Sequence, residues 1–227
     1  MINKIRNEKK EFKKLLNGQW IENKDVNYIE IKSPINNTFL GKVPAMSKDE
    51  VEGAIKNSKE VQKIWKLTPL NKRIEILYKA AEILEKQADN LSELLMMEVA
   101  KDKKSARSEV IRTVDFIKFT ADIAKSINGE SLQGDNFPGG KKNKIGLVNR
   151  EPLGVVLAIS PFNYPVNLAA SKIAPAIVTG NTVIFKPATQ GSLSGLYLAK
   201  IFDEAGVPAG VINTVTGKGS EIGDYIV

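Results

Sequence analysis

PLGVVLAISPFNYPVNLAASKIAPAIVTGNTVIFK, residues 152–186, changes its hydrophobic period twice, and those changes decide the fold. Val155 to Ile159 is a short apolar run with the β-branched content of a strand buried on both faces. Ser160-Pro161 stops it, and a tight turn follows at Phe162-Asn163-Tyr164-Pro165. Beyond Pro165 the spacing becomes helical, with Val166, Ala169, Ile173 and Ile177 on one side. A proline costs little in a first helical turn, where its missing N–H would have had no partner. Gly180-Asn181 ends the helix, and Thr182 to Phe185 reads as a second buried strand. Strand, loop, helix and strand make a βαβ unit. Its loop falls beyond the carboxyl ends of the strands, where open α/β sheets bind ligands.

Downstream the alternation continues. A helix from Leu193 to Ala205 ends at Gly206, Val211 to Val215 is a third strand, and Gly217-Lys218-Gly219-Ser220 leads into a helix at Glu221. The third strand is expected to be the sheet's unpaired edge. With three parallel strands, this is the first half of a doubly wound sheet, and the chain reads as part of a longer fold.

Upstream, Asn17-Gly18 between short apolar stretches signals a hairpin, and Tyr28 to Ile31 and Phe39 to Val43 read as paired edge strands around a turn at Pro34-Ile35-Asn36-Asn37. Ser47 and Glu50 form a capping box for a helix running to about Lys66. Leu70, Ile74, Leu77, Ala81 and Leu84 stripe a second helix, and Asp89 to Ala100 is a third. The fourth, Ser105 to about Ser126, carries a stripe of Val110, Val114, Ile117 and Ala121. A second stripe of Phe116, Phe119 and Ile123, headed by Arg112, predicts that this helix is largely covered. Asn128 to Gly140 reads as a loop, and Lys144 to Arg150 as a polar edge strand or hairpin arm. The expected organisation is a mostly helical part over residues 1–143, a hairpin arm over 144–152, and the β/α part over 153–227.

Composition narrows the chemistry. The chain has 227 residues, 42% of them apolar, enough for a sizeable core. No apolar run approaches the roughly 18 residues of a membrane span. The basic N-terminus, MINKIRNEKKEFKKLL, lacks the apolar centre of a signal peptide and reads as an exposed amphipathic helix. A cytoplasmic location is the expectation. Cysteine and histidine are both absent, which removes disulfides, cysteine–histidine metal sites and histidine-based triads from this chain; no metal site is expected. The formal charge of +7 is spread over lysine clusters at a terminus and between periodic segments. That distribution points away from nucleic acid and suits an anionic small molecule.

Several residues could carry chemistry. Asn163, beside Phe162 and Tyr164 at a strand end, can donate an amide N–H to a developing oxyanion, or can close its own turn. Lys186 ends a buried strand, a poor place for an ammonium unless something anionic or hydroxylated waits there. Thr189, Ser192 and Ser194 follow it as potential helix caps. Arg112 needs an anion, either a core carboxylate or a ligand. Gly217, Gly219 and Gly223 allow close backbone approach at a helix start, although the usual dinucleotide glycine fingerprint after the first strand is missing.

Taken together, SPFNYPVN, FKPATQ and GKGSEIG at these spacings resemble the aldehyde dehydrogenase superfamily, and within it the non-phosphorylating glyceraldehyde-3-phosphate dehydrogenases. NGQW, KVPAMSKDEV and EVAKDKKSARSEVIRTVDFIKF extend the resemblance over nearly the whole chain from Leu15. It implies an α/β aldehyde dehydrogenase fold, N-terminal half, with an incomplete Rossmann-like parallel sheet. It matches Asn163 to the oxyanion-hole amide, Arg112 and Tyr164 to residues holding the substrate phosphate, and Ser160 to the cofactor path. Lys186 matches the lysine that bonds the adenosine ribose, and Asp224 a position near the adenine end. NAD-using members commonly carry a glutamate where this chain has Thr189, so NADP is the implied cofactor. The implied substrate is a small phosphorylated aldehyde, with a semialdehyde or a non-catalytic nucleotide-binding role as alternatives. The family's nucleophilic cysteine and general-base glutamate lie in motifs past Val227. Its members associate as homodimers or homotetramers, through a hairpin that Lys144 to Arg150 resembles.

Overall fold

The computed structural model describes residues 1–22 and 27–227. Its first strands are β1 (Lys14–Leu16) and β2 (Gln19–Ile21), an antiparallel hairpin. Asn17 and Gly18 both adopt positive φ, 48° and 73°, so the two-residue turn twists with its strands. A Cβ on Gly18 would lie 2.6 Å from the Cβ of Ala209, so the glycine also permits the hairpin to dock. β3 (Tyr28–Lys32) and β4 (Phe39–Pro44) form a second antiparallel pair. Four helices follow: α1 (Lys48–Trp65), α2 (Leu70–Lys86), α3 (Ala88–Val99) and α4 (Lys103–Ala124). Both halves of the Ser47–Glu50 capping box are present on α1.

After α4 come β5 (Glu130–Gln133) and β6 (Ile145–Val148), an antiparallel hairpin. The remainder alternates as β7 (Val155–Ile159), α5 (Asn167–Val178), β8 (Thr182–Lys186), α6 (Ser192–Glu204), β9 (Ile212–Thr214) and α7 (Gly219–Ile226). β7, β8 and β9 form a parallel sheet in that order. Alternate residues face opposite ways, as the pleat requires. Ala158, Val183 and Phe185 join the core beneath α5 and α6, backed by α2, α3 and α4, whereas Ile184 packs with Val51 and Ala54 of α1. Buried residues on both sides of position 144 contribute to the first of these clusters.

Five expectations are corrected. The N-terminus is no exposed helix: a short 3-10 turn at Ile2–Lys4 is followed by bridges Arg6↔Phe12 and Glu11↔Lys42, and Ile5 and Phe12 are buried against Ile31, Val43, Leu193 and Leu196. The segment read as a loop over 128–140 contains β5. β7 is not buried on both faces; Ile159 is 41% exposed, and β7 is the sheet's open edge. β9, expected to be that edge, is buried throughout. The β1–β2 hairpin covers it, with Leu15 N–H donating to Thr214 Oγ1 and Asn17 N–H to Asn213 Oδ1. Finally, α4 buries only its first stripe. Phe119 is 64% and Ile123 50% exposed, and Arg112 is exposed rather than heading a covered face.

Candidate active site at the carboxyl ends of the parallel strands

Register sets Ile159 of β7 opposite Lys186 of β8, so both strands end at one level. There Ser160 N–H donates to the Lys186 carbonyl at 3.2 Å. The side chains of these two residues are left over. Ser160 is buried and its Oγ has no hydrogen-bond partner. Lys186 is 7% exposed with no hydrogen bond or ion pair among the described residues, and burial pushes its pKa below the ordinary lysine value. A buried ammonium without an acceptor is costly, as is a buried hydroxyl. Two such groups at adjacent strand ends mark a place for a ligand rich in hydroxyls or negative charge.

The three helices that follow the strands start at the same end of the sheet, each presenting unpaired backbone N–H groups. Two are already filled by the protein. Glu98, at the end of α3 and wholly buried, accepts from Gly191 N–H at 3.2 Å, Leu193 N–H at 2.7 Å and Ser194 N–H at 2.9 Å, and from the Ser194 hydroxyl. Burial raises the Glu98 pKa against the pull of these bonds from Ser194, Leu193 and Gly191. Glu109 of α4, also wholly buried, accepts from Val166 N–H at 2.9 Å and Asn167 N–H at 3.0 Å, and its other oxygen pairs with Lys101. Carboxylates suit these helix starts for the same reasons phosphates do. α7 differs: among the described residues no side chain accepts from the N–H groups of Gly219 and Ser220, and a Cβ on Gly219 would meet nothing within 4 Å. The structure thus offers one open helix start beside two sealed ones.

The remaining expected site residues lie on exposed turns and helix surface. Asn163 is exposed, and its amide does not close the turn; it makes no hydrogen bond among the described residues. Tyr164 is 40% exposed, with the Lys101 ammonium 3.7 Å from its ring centroid. Arg112 has no carboxylate partner among the described residues and lines a shallow cleft of about 500 Å³ with Lys103, Lys104, Arg107, Ser108 and Ile111. Thr189 is half-buried, and its carbonyl accepts from the Ser192 hydroxyl at 2.9 Å. None of Thr189, Ser192 and Ser194 is the helix cap expected: Gly191 holds the N-cap position of α6, and the Ser194 hydroxyl donates to Glu98 instead. Asp224 is exposed on α7.

Glu98, Glu109 and Lys101 are the positions missed from sequence. A signal existed for the first: Glu98 continues the buried α3 stripe of Leu91 and Leu95. Another cation, half-buried Arg73, whose buried Nε and Nη1 have no hydrogen-bond partner, lines a cavity of about 770 Å³ with Arg150, beside Thr179 and Asn181 at the opposite, amino end of the strands. Among the described residues no group of acidic, cysteine or histidine side chains could hold a metal ion, and no helix is long and apolar enough to cross a membrane.

The aldehyde dehydrogenase family model matches residues 20–227. An NADP-dependent glyceraldehyde-3-phosphate dehydrogenase of Streptococcus equinus is 51% identical over 218 residues, which are 96% of this chain and 45% of that relative. The crystal structure of NADP-dependent glyceraldehyde-3-phosphate dehydrogenase from Bacillus halodurans C-125, complexed with NADP, is 56% identical and superposes with a TM-score of 0.92, over 94% of this chain and 45% of that one. Lactaldehyde dehydrogenase from Escherichia coli gives a TM-score of 0.88 at 30% identity, over 94% of this chain and 44% of its own. The chain spans less than half the length of these relatives, and across that span both sequence and fold agree: it belongs to the aldehyde dehydrogenase family.

Proposed function

We propose that this chain supplies the cofactor-holding and substrate-phosphate side of an enzyme that oxidises glyceraldehyde 3-phosphate to 3-phosphoglycerate with NADP. The observation that carries the reading is the pair of partnerless buried groups, Lys186 and Ser160, at the strand ends next to the one open helix start. Lys186 and Ser160 would donate to the hydroxyls of the adenosine ribose and the adjoining cofactor chain. The α7 N-terminus would receive the pyrophosphate. Thr189, neutral and able to donate, leaves room for a 2′-phosphate, and Asp224 lies toward the adenine end. NADP, when bound, supplies the hydride acceptor.

On the substrate side, Arg112 and Tyr164 would hold the phosphate by charge-assisted bonds. Asn163, with its amide free, would donate to the aldehyde oxygen as negative charge develops there, an effect on the order of 10²–10³ in rate. The nucleophile would be a cysteine, forming a thioester that water then releases; with no cysteine here, it must come from outside this sequence. The β5–β6 hairpin, with Ile145 62%, Leu147 75% and Val148 44% exposed, is our assignment for the subunit contact of a dimer or tetramer. The cytoplasm is the compartment we assign.

The test is turnover by the complete polypeptide. NADP reduction with glyceraldehyde 3-phosphate, strongly preferred over succinic semialdehyde, is the expected result. Preference for the semialdehyde, or no NADP reduction with either, would overturn it.

A further inference from the structure

Beneath Tyr164 lies a cation that the proposed reaction has not used. The Lys101 ammonium sits 3.7 Å from the ring centroid, well inside the roughly 6 Å reach of a cation–π contact. Its position is heavily determined. Ala100, the residue before it, ends α3 in the left-handed conformation, φ 54° and ψ 35°, and so turns the chain back toward the core. The Lys101 side chain is 13% exposed and ion-paired with wholly buried Glu109. The second oxygen of that carboxylate holds the Val166 and Asn167 N–H groups at the start of α5, two and three residues beyond Tyr164. Asn167 Nδ2 in turn donates to Thr113 Oγ1 at 3.2 Å, and Thr113 is the neighbour of Arg112 on α4. One network therefore joins the loop under Tyr164, the helix carrying Arg112 and the turn carrying Tyr164 and Asn163.

We propose that Lys101 is a positioning and specificity-determining residue for the phosphate end of the substrate: it pins the Tyr164 ring and adds a positive charge beneath it. This rests on the reading that Arg112 and Tyr164 receive the phosphate. A purely structural lysine would serve Glu109 alone and would affect phosphorylated and unphosphorylated aldehydes alike. A lysine that works through the tyrosine ring discriminates between them, because only the phosphorylated substrate uses the phenol and the added charge.

The experiment measures KM and kcat of the complete polypeptide with glyceraldehyde 3-phosphate and with glyceraldehyde, for wild type, Lys101→Met, Lys101→Arg and Arg112→Leu. Lys101→Met should raise the ratio of the two KM values about three- to thirtyfold in disfavour of the phosphorylated substrate, the range expected for a cation–π contact. Lys101→Arg, which keeps a cation over the ring, should recover most of that ratio. If Arg112→Leu is selective but Lys101→Met weakens both substrates equally, the inference on Lys101 fails and the phosphate reading stands. If neither substitution is selective, the phosphate reading fails and takes the inference with it. Should Lys101→Met not fold, Lys101→Gln in its place and Lys101→Arg carry the same comparison; equal KM ratios in Gln and Arg variants would overturn the proposal.

Discussion

The starts of α5 and α6 and the start of α7 have the same backbone chemistry and opposite fates. At α5 and α6, buried Glu109 and Glu98 occupy the N–H groups that a phosphate would otherwise take. At α7 no such side chain is present among the described residues; Gly219 faces open space, whereas Gly217 packs closely on Ile222. The lesson is that a helix start is only a potential anion site. Whether it holds an internal carboxylate or a ligand is set by what the neighbouring helices bring to it. Here α3 and α4 each deliver one glutamate, which accounts for the missing glycine fingerprint after β7: that helix start is used to bind the protein to itself.

This contrast predicts opposite signatures on mutation. Sealed starts should lose stability, and the open one should lose binding. The largest effect is expected for Glu98→Leu, which strands three buried N–H groups. A loss of about 3–5 kcal/mol in urea unfolding follows from the cost of unsatisfied buried donors. A loss below about 1 kcal/mol would show that water or a rearrangement serves those donors, and the two classes of helix start would no longer differ.

Thr189→Glu acts on the open side. A carboxylate about 4 Å from a 2′-phosphate repels it by about 1–4 kcal/mol, taking the dielectric between water and protein surface. NADP affinity should fall by that amount relative to NAD in a calorimetric titration, and an unchanged ratio would remove Thr189 from the 2′-phosphate site. Lys186→Met should weaken NADP by about 1.5–3 kcal/mol, the worth of a hydrogen bond from a charged group. Because it removes a desolvated, partnerless ammonium, it should not destabilise the fold. A destabilisation comparable to Glu98→Leu would place Lys186 among the sealed groups. The smallest expected effect is a gain. Ala100→Gly relieves a left-handed alanine and should stabilise by about 0.5–1 kcal/mol, visible as a raised melting temperature.

Much of this architecture was legible because it is local. The period change at Ser160, the Asn17-Gly18 turn and the Ser47–Glu50 box each need only a few adjacent residues. The candidate site was legible in part, since Lys186 at a strand end is anomalous on its face. What failed was non-local or ambiguous in period. Glu109 and Glu98 meet donors 57 and 95 residues away, at Val166 and Leu193, and no spacing announces such pairs. Ile5 and Phe12 share a helical interval, yet they are brought together by bridges to Phe12 and Lys42 rather than by a helix. In β5 only Leu132 is apolar, so a four-residue strand gave no alternation to read. Phe119 and Ile123 continue a stripe that stays half or more exposed, which misplaced Arg112 as buried.

The central claim, that the chain keeps α7 for the cofactor and closes α5 and α6 to it, is tested most directly by amide chemical shifts during an NADP titration of the isotope-labelled chain. Saturable changes are predicted at Ser160, Lys186 and Gly217 through Gly219, with Val166, Asn167, Leu193 and Ser194 left quiet. Changes led by those last four, or no saturable change at any of these positions, would contradict it.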